Sequence, residues 1–202
     1  MSENSPLELD LEQMQEIEKK LQKRLTAKRY RHTIGVAYTA ASLAMAHGAS
    51  LQKAFLAGLI HDNAKCIDSE KKIHLCEKYK LPVSDVERRN PELLHAKLGS
   101  YLAKKDFEIE DEEILAAIAS HTTGRPGMSL LEKIIFVADY IEPNRKSIPN
   151  MEAVRRAAFV DLDRAVLAEL DGTLHYIRDK AAALDETTYE TYEYYREMRR
   201  KE

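Results

Sequence analysis

A histidine and an aspartate stand side by side at the end of an apolar segment, at His61 and Asp62. The run before them, residues 54–60, has the composition of a buried helix, which carries the pair into the protein interior. A charge buried without a partner loses much of its solvation energy. The usual remedies are an ion pair, a shifted pKa or a bound metal ion. We interpret this pair as part of a metal site.

Residues of the same chemical types end or interrupt other apolar segments. In chain order the set is His32, His61, Asp62, His95, His121 and Asp139. Each of them alone has a structural explanation, as a core histidine or an internal hydrogen-bonded pair. Six such residues in five apolar segments, two of them adjacent, indicate a coordinated ion, because imidazole and carboxylate groups are common ligands of divalent metals.

The geometry of a helix restricts how the adjacent pair could bind one ion. Neighbouring residues on a helix diverge by about 100°. His61 and Asp62 can therefore reach a common ion only near a helix end, where the backbone adjusts. Asn63 is a good helix terminator, and we expect the end there.

The elements that position these residues are predicted to be helices. Apolar residues recur at spacings of three and four, and no segment shows convincing alternation of β-branched residues. The predicted segments are an amphipathic stripe from Leu7 to Leu25 and helices over 26–47, 51–62, 70–80, 111–121, 130–140, 151–170 and 172–183. A further helix opens at Asn90-Pro91 and carries His95, Leu98 and Leu102 on one face. The fold class is all-α, built as an orthogonal helical bundle.

Capping residues place several of these boundaries. Gly48 suits a left-handed C-cap, and Ser50 and Ser129 are N-cap candidates. Acidic residues at 111–113 favour a helix N-terminus, and Pro143 closes the segment that contains Asp139.

The length predicts one main domain with short appendages. A chain of 202 residues with 44% hydrophobic content can bury one good-sized core. We expect an appended helix over 1–25, the main domain over 26–187, and a charged, tyrosine-rich helix or tail over 188–202. The N-terminal stripe could pack on its own domain or on a second copy, so a homodimer stays open.

Composition bears on partners and location. The net charge is −3, and charged residues of both signs are interspersed, so no basic surface for nucleic acid is expected. No signal peptide or membrane-spanning run is evident, and we predict a cytoplasmic protein without a membrane partner. Cys66 and Cys76 do not form a zinc pattern and are expected to be reduced thiols in the core.

The neighbours of the six residues resemble the YqeK family of bacterial HD-domain hydrolases. The resemblance covers residues 28–143, and four stretches carry it: RYRHT at 29–33, LIHDNAK at 59–65, SHTTG at 120–124 and LEKIIFVADYIEPNR at 131–145. It implies the HD-domain fold and symmetrical hydrolysis of diadenosine tetraphosphate.

The resemblance also implies roles for individual residues. The implied metal ligands are His32, His61, Asp62 and Asp139. The ion is expected to be divalent iron, with manganese or cobalt as alternatives, and one or two ions are possible. The implied substrate-binding residues are Arg29, Lys65, His95, His121, Thr122, Asp139 and Arg145, and the implied catalytic residues are Asp62, His95 and His121. Whether the two middle histidines hold metal, phosphate or a bridging solvent molecule stays open, because related HD proteins use them for a second metal.

The implied reaction splits the tetraphosphate at its central bridge into two ADP molecules. A divalent ion lowers the pKa of a bound water molecule, and the resulting hydroxide would attack phosphorus. Two alternatives use the same residues. One is an HD phosphohydrolase that acts on other nucleotides, and the other is a nucleotide-binding helical module without catalysis.

Overall fold

The computed structural model describes residues 11–145, 148, 150–179 and 185–201 of the chain. This part contains eleven α-helices and no β-strand, which confirms the all-α prediction. The helices are α1 (Leu11–Arg24), α2 (Ala27–His47), α3 (Leu51–Ile60), α4 (Ser69–Lys78), α5 (Asp85–Arg89), α6 (Leu94–Phe107), α7 (Glu112–Ser120), α8 (Leu130–Ile141), α9 (Met151–Ala158), α10 (Leu162–Asp179) and α11 (Glu186–Arg200). A short 3-10 turn, Pro91–Leu93, precedes α6.

Local capping explains where the central helices begin and end. The side chains of Thr26, Ser50 and Ser129 accept hydrogen bonds from backbone N–H groups in the first turns of α2, α3 and α8. Gly48 ends α2 with a φ of 70°, a conformation that costs glycine little. Asp111 caps α7 in the same way as the serines. These boundaries confirm the predicted ones.

Close packing of α2 against α3 and α8 forms the centre of the core. A Cβ atom at Gly58 would lie 2.9 Å from Cα of Ala37, so the glycine lets α2 and α3 approach backbone to backbone. Val36, Leu59 and Val137 are fully buried in this core. The close fit fixes the relative positions of the helices that carry the candidate ligands.

The N-terminal helix packs on the same core. Ile17, Leu21 and Leu25 of the predicted stripe are buried there, while Leu7 lies outside the described residues. The described part of the stripe is thus covered by its own domain. The proposed division at residues 25 and 187 stays a prediction.

The chain after residue 150 differs from the prediction. A single helix over 151–170 was wrong, because α9 ends at Ala158 and a turn separates it from α10. Asp161 Oδ1 accepts a hydrogen bond from the backbone N–H of Arg164, which starts α10. The predicted break at Gly172 was also wrong. A Cβ there would lie 3.0 Å from the Tyr140 hydroxyl, so this glycine serves packing rather than helix termination.

Two smaller differences concern α5 and Cys66. Helix α5 was not predicted, although Ser84 and Glu87 form a capping box at its start. Cys76 is buried as expected, but Cys66 is exposed, which corrects its placement in the core. The predicted helix end over 180–183 lies outside the described residues. None of the described helices has the length and apolar character that a bilayer span requires.

Candidate metal centre

The six predicted ligand-type residues come together at one place. His32 comes from α2, His61 and Asp62 from the turn after α3, His95 from α6, His121 from the turn after α7, and Asp139 from α8. Helix α3 ends at Ile60, three residues before the predicted end at Asn63, so His61 and Asp62 both lie at a helix end, as the sequence argument requires. Asn63 holds this turn, because its Nδ2 donates to the carbonyl oxygens of Ile60 and Gly99 at 2.9 Å each.

One oxygen of Asp62 faces His61 and His32, and both histidines also lie close to Asp139. Asp62 Oδ2 lies 3.3 Å from His61 Nε2 and 3.7 Å from His32 Nε2. Asp139 Oδ1 lies 2.9 Å from His32 Nε2 and 3.8 Å from His61 Nε2. The ligand atoms of His32, His61 and Asp139 lie within 4.8 Å of one another, which suits one shared cation about 2.0–2.2 Å from each.

The other oxygen of Asp62 faces the two middle histidines. Asp62 Oδ1 lies 3.3 Å from His95 Nε2 and 3.8 Å from His121 Nε2, and these two nitrogens are 3.0 Å apart. The Thr122 hydroxyl oxygen lies 3.3 Å from His95 Nε2. The Asp62 carboxylate therefore lies between two groups of potential metal-ligand atoms, one around each of its oxygens.

All four imidazoles point their Nε2 atoms to the centre because Nδ1 is held from behind. The Nδ1 partners are the carbonyl oxygen of Gly58 for His61, that of Glu92 for His95, that of Ile118 for His121, and a carboxylate oxygen of Glu142 for His32. A carbonyl oxygen only accepts hydrogen bonds, so Nδ1 carries the proton in the first three. Neutral histidines in this tautomer present an Nε2 lone pair to the centre, as metal ligands do.

The donor atoms fit a cation. Nε2 of His32 and of His61 are buried and have no hydrogen-bond partner among the described residues. His32 Nε2 nevertheless lies 2.9 Å from Asp139 Oδ1, without hydrogen-bond geometry. Two electron-rich atoms at this distance repel each other unless a cation or a proton lies beside them. The cluster is therefore suited to a divalent metal ion.

The charges of the site keep its two carboxylates ionised, and burial keeps His95 neutral. Burial acts to raise the pKa of Asp62, but His61 and the other nearby imidazoles hold it well below the usual value. Burial also acts to raise the pKa of Asp139, but Arg145 and His32 outweigh it and hold this pKa well below its usual value. Burial lowers the pKa of His95 to about 4, so this imidazole is neutral at pH 7. Ionised carboxylates and neutral imidazoles are the forms that bind metals.

Two arginines contact the carboxylates. Arg29 Nη1 donates to Asp62 Oδ2 at 2.7 Å. Arg145 donates twice to Asp139, from Nη2 to Oδ1 at 2.7 Å and from Nε to the backbone oxygen at 2.6 Å. Lys65 is placed differently, since its Nζ lies 3.5 Å from Glu92 Oε2. Arg29 and Arg145 thus adjoin the centre directly, while Lys65 pairs with a neighbour of His95.

Comparison with known proteins identifies the family. A family model described as the HD domain matches residues 29–144. The chain is 48% identical over 168 residues to a Halalkalibacterium halodurans protein named symmetrical bis(5'-nucleosyl)-tetraphosphatase, covering 83% of this chain and 89% of that one. A Bacillus subtilis protein of the same name is 42% identical, with 85% and 91% covered. The chain belongs to the YqeK family of HD-domain proteins.

The HD-domain fold is confirmed by a solved relative. A Clostridium acetobutylicum crystal structure, described as a predicted HD superfamily hydrolase involved in NAD metabolism, is 43% identical with a TM-score of 0.89. The match covers 92% of this chain and 97% of that one.

Two buried glutamates of this HD domain were missed by sequence reasoning. Glu142 follows Asp139 by three residues at the end of the same apolar segment and is fully buried. Glu169 lies on α10 among the buried residues Ala165, Val166 and Leu170. Their positions on apolar faces could have signalled both, because an acid at such a position needs a partner or a raised pKa.

Glu169 gives a testable pH dependence of stability. Its Oε2 has no hydrogen-bond partner among the described residues, and burial followed by the charge of Asp139 raises the pKa of Glu169 well above its usual value. The folded state therefore keeps this proton after the unfolded chain, whose glutamates titrate near pH 4.3, has lost it. Stability falls as pH rises through this window.

We expect the Glu169→Gln variant to be more stable at pH 8 by about 1–3 kcal/mol, the usual cost of a buried polar group without a partner. The gain should shrink at pH 5. Urea unfolding of chelator-treated protein at both pH values measures it. A gain of equal size at both pH values would show that the charge of Glu169 is not its cause.

Proposed function

We propose that this protein is a metal-dependent phosphohydrolase that splits dinucleoside tetraphosphates symmetrically, converting diadenosine tetraphosphate to two ADP molecules. The names of the two bacterial relatives support the substrate class. The main structural support for metal-dependent catalysis is the Asp62 carboxylate, whose two oxygens face two separate groups of metal-ligand atoms.

The donor groups suggest how metal would be held. His32, His61, Asp62 and Asp139 would bind one ion, and His95, His121 and the second oxygen of Asp62 are suited to another. Mixed imidazole and carboxylate ligands suit iron, with manganese and cobalt as alternatives. When bound, a divalent cation lowers the pKa of a coordinated water molecule and neutralises phosphate charge.

The protein's own residues are placed to bind and orient the phosphates. Arg29 and Arg145 contact the ligand carboxylates and are partly exposed, with 31% and 33% of each side chain accessible. Guanidinium groups bind phosphate oxygens in a bidentate manner, so both can hold non-bridging oxygens of the tetraphosphate. The Thr122 hydroxyl can donate to a further oxygen.

The proposed reaction consumes one water molecule. Its oxygen bonds to one of the two central phosphorus atoms, and the bridging oxygen leaves with the other nucleoside diphosphate. When the protein holds a single ion, the neutral His95 keeps its Nε2 lone pair free, and that atom can accept a hydrogen bond from water or substrate. His121 stands beside it with the same tautomer.

Chromatography of the products tests this function. We expect ADP alone from diadenosine tetraphosphate, in a reaction that chelator stops and metal restores. AMP together with ATP would show asymmetric cleavage, and tight binding without product would support a nucleotide-binding module. The panel should include mononucleotides and NAD, given the description of the Clostridium relative. The cytoplasmic location, the absence of a nucleic-acid partner and a homodimer stay predictions.

A further inference from the structure

A buried carboxylate lies directly behind His32. Glu142 follows α8 and is fully buried. Its Oε1 lies 2.9 Å from His32 Nδ1. Its Oε2 accepts two hydrogen bonds from Asn144, from the backbone N–H at 2.6 Å and from Nδ2 at 3.0 Å. The donors on both sides hold this carboxylate in one orientation.

Helix α2 is shaped to admit the carboxylate. Gly35 follows His32 by three residues and shares its face of the helix. A Cβ atom at Gly35 would lie 2.3 Å from Glu142 Oε2 and 2.9 Å from Asn144 Nδ2. Any larger residue at this position would displace the carboxylate from the space that it occupies.

The position of His32 in its helix explains why it needs this partner. His61 and His121 follow the last residues of α3 and α7, and His95 is the second residue of α6. Each of them uses the carbonyl of the residue three positions earlier. For His61 and His121 this carbonyl lies in the last turn of a helix, where such groups lack an intrahelical partner. For His95 it belongs to Glu92 in the 3-10 turn that precedes α6. His32 lies within α2, whose interior carbonyls bind the helix's own N–H groups. Its Nδ1 partner must therefore come from another element.

We propose that Glu142 is a positioning residue for His32. It accepts the Nδ1 proton, which fixes the tautomer and directs the Nε2 lone pair to the group formed by Asp62 and Asp139. Partners of this kind raise the basicity of a ligating imidazole, and their loss typically weakens metal binding by about 10–100-fold. The inference rests on the proposed metal site, but it concerns a residue that contacts neither metal nor substrate.

The Glu142→Gln variant tests the inference because glutamine has nearly the same shape. If its carbonyl faces His32, its NH₂ group faces the two donors of Asn144. If the amide turns around, its NH₂ group faces Nδ1, and the His32 proton moves to Nε2, where it blocks a ligand position. Both orientations weaken the site.

The measurement is the affinity of the full chain for Mn²⁺, followed through the electron paramagnetic resonance signal of the free ion. We expect the Mn²⁺ dissociation constant of Glu142→Gln to be 10- to 100-fold larger than that of the wild type. Gly35→Ala, which keeps the glutamate but displaces it, should lose affinity to a similar extent. Glu87→Gln is the matched control, because Glu87 is also a buried glutamate but pairs with Lys97, and it should bind Mn²⁺ like the wild type.

The outcomes separate this inference from the proposed function. Affinities of Glu142→Gln and wild type within threefold would overturn the positioning role, as would an equal loss in Glu87→Gln. Failure of the wild type itself to bind Mn²⁺ would count against the metal site. Should Glu142→Gln not fold by circular dichroism, Gly35→Ala carries the test, because it keeps the glutamate but occupies its space, and an unchanged affinity in that variant would also overturn the role.

Discussion

Replacing Asp62 by alanine is expected to reduce turnover at least about a thousand-fold, which corresponds to about 4 kcal/mol of transition-state stabilisation. The carboxylate faces both groups of donor atoms, so its loss removes a ligand from each of them. It also leaves Arg29 without its 2.7 Å partner. Steady-state hydrolysis of diadenosine tetraphosphate with saturating metal measures the loss.

Metal content and a distant aspartate provide the controls for this variant. We expect the wild type to bind two equivalents of Mn²⁺ if both donor groups are used, and the Asp62→Ala variant to bind fewer. Asp106 pairs with Arg24 near the end of α6, roughly 16 Å along the helix from His95 at 1.5 Å per residue. Asp106→Ala should therefore keep full activity. Turnover of Asp62→Ala within tenfold of the wild type would remove Asp62 from the site.

Replacing Arg145 by alanine is expected to lower kcat by about 30- to 1000-fold, or about 2–4 kcal/mol. The guanidinium already contacts Asp139 through two hydrogen bonds and is partly exposed, so it can also reach a phosphate group that approaches this aspartate. A cation in this position stabilises negative charge that develops during phosphoryl transfer. Separate values of kcat and KM decide whether the contact acts in the transition state.

Arg145 could affect turnover in two ways, by binding phosphate or by holding the metal ligand Asp139, and the experiment must separate them. Because the guanidinium holds Asp139, its removal could act through metal affinity alone. The Mn²⁺ dissociation constant of Arg145→Ala addresses this, since a role in phosphate binding leaves it nearly unchanged. Arg145→Lys keeps the charge without the bidentate geometry, so its kcat should lie between those of the wild type and Arg145→Ala. Arg24→Ala is the matched control and should keep the wild-type kcat, because 32% of the Arg24 side chain is exposed against 33% for Arg145. A change confined to KM would contradict the catalytic role.

Local signals accounted for much of the fold. The caps at Thr26, Gly48, Ser50 and Ser129 depend on a few neighbouring residues, so their helix boundaries could be predicted from the sequence. Gly172 could not be interpreted locally. The same residue type ends α2 but lies inside α10, and the tertiary contacts of Gly172 with Tyr140 and Asn150 distinguish the two uses.

The sequence by itself determined the helical class and, through residue types at the ends of apolar segments, which six side chains were candidates for one site. The tertiary structure decided how these side chains are divided between the two oxygens of Asp62, and that Glu142 and Gly35 stand behind His32. The reason is that residue type and helical spacing act over a few residues. The distances within the site depend on how α2, α3, α6, α7 and α8 pack, and contacts far apart in the chain set that packing.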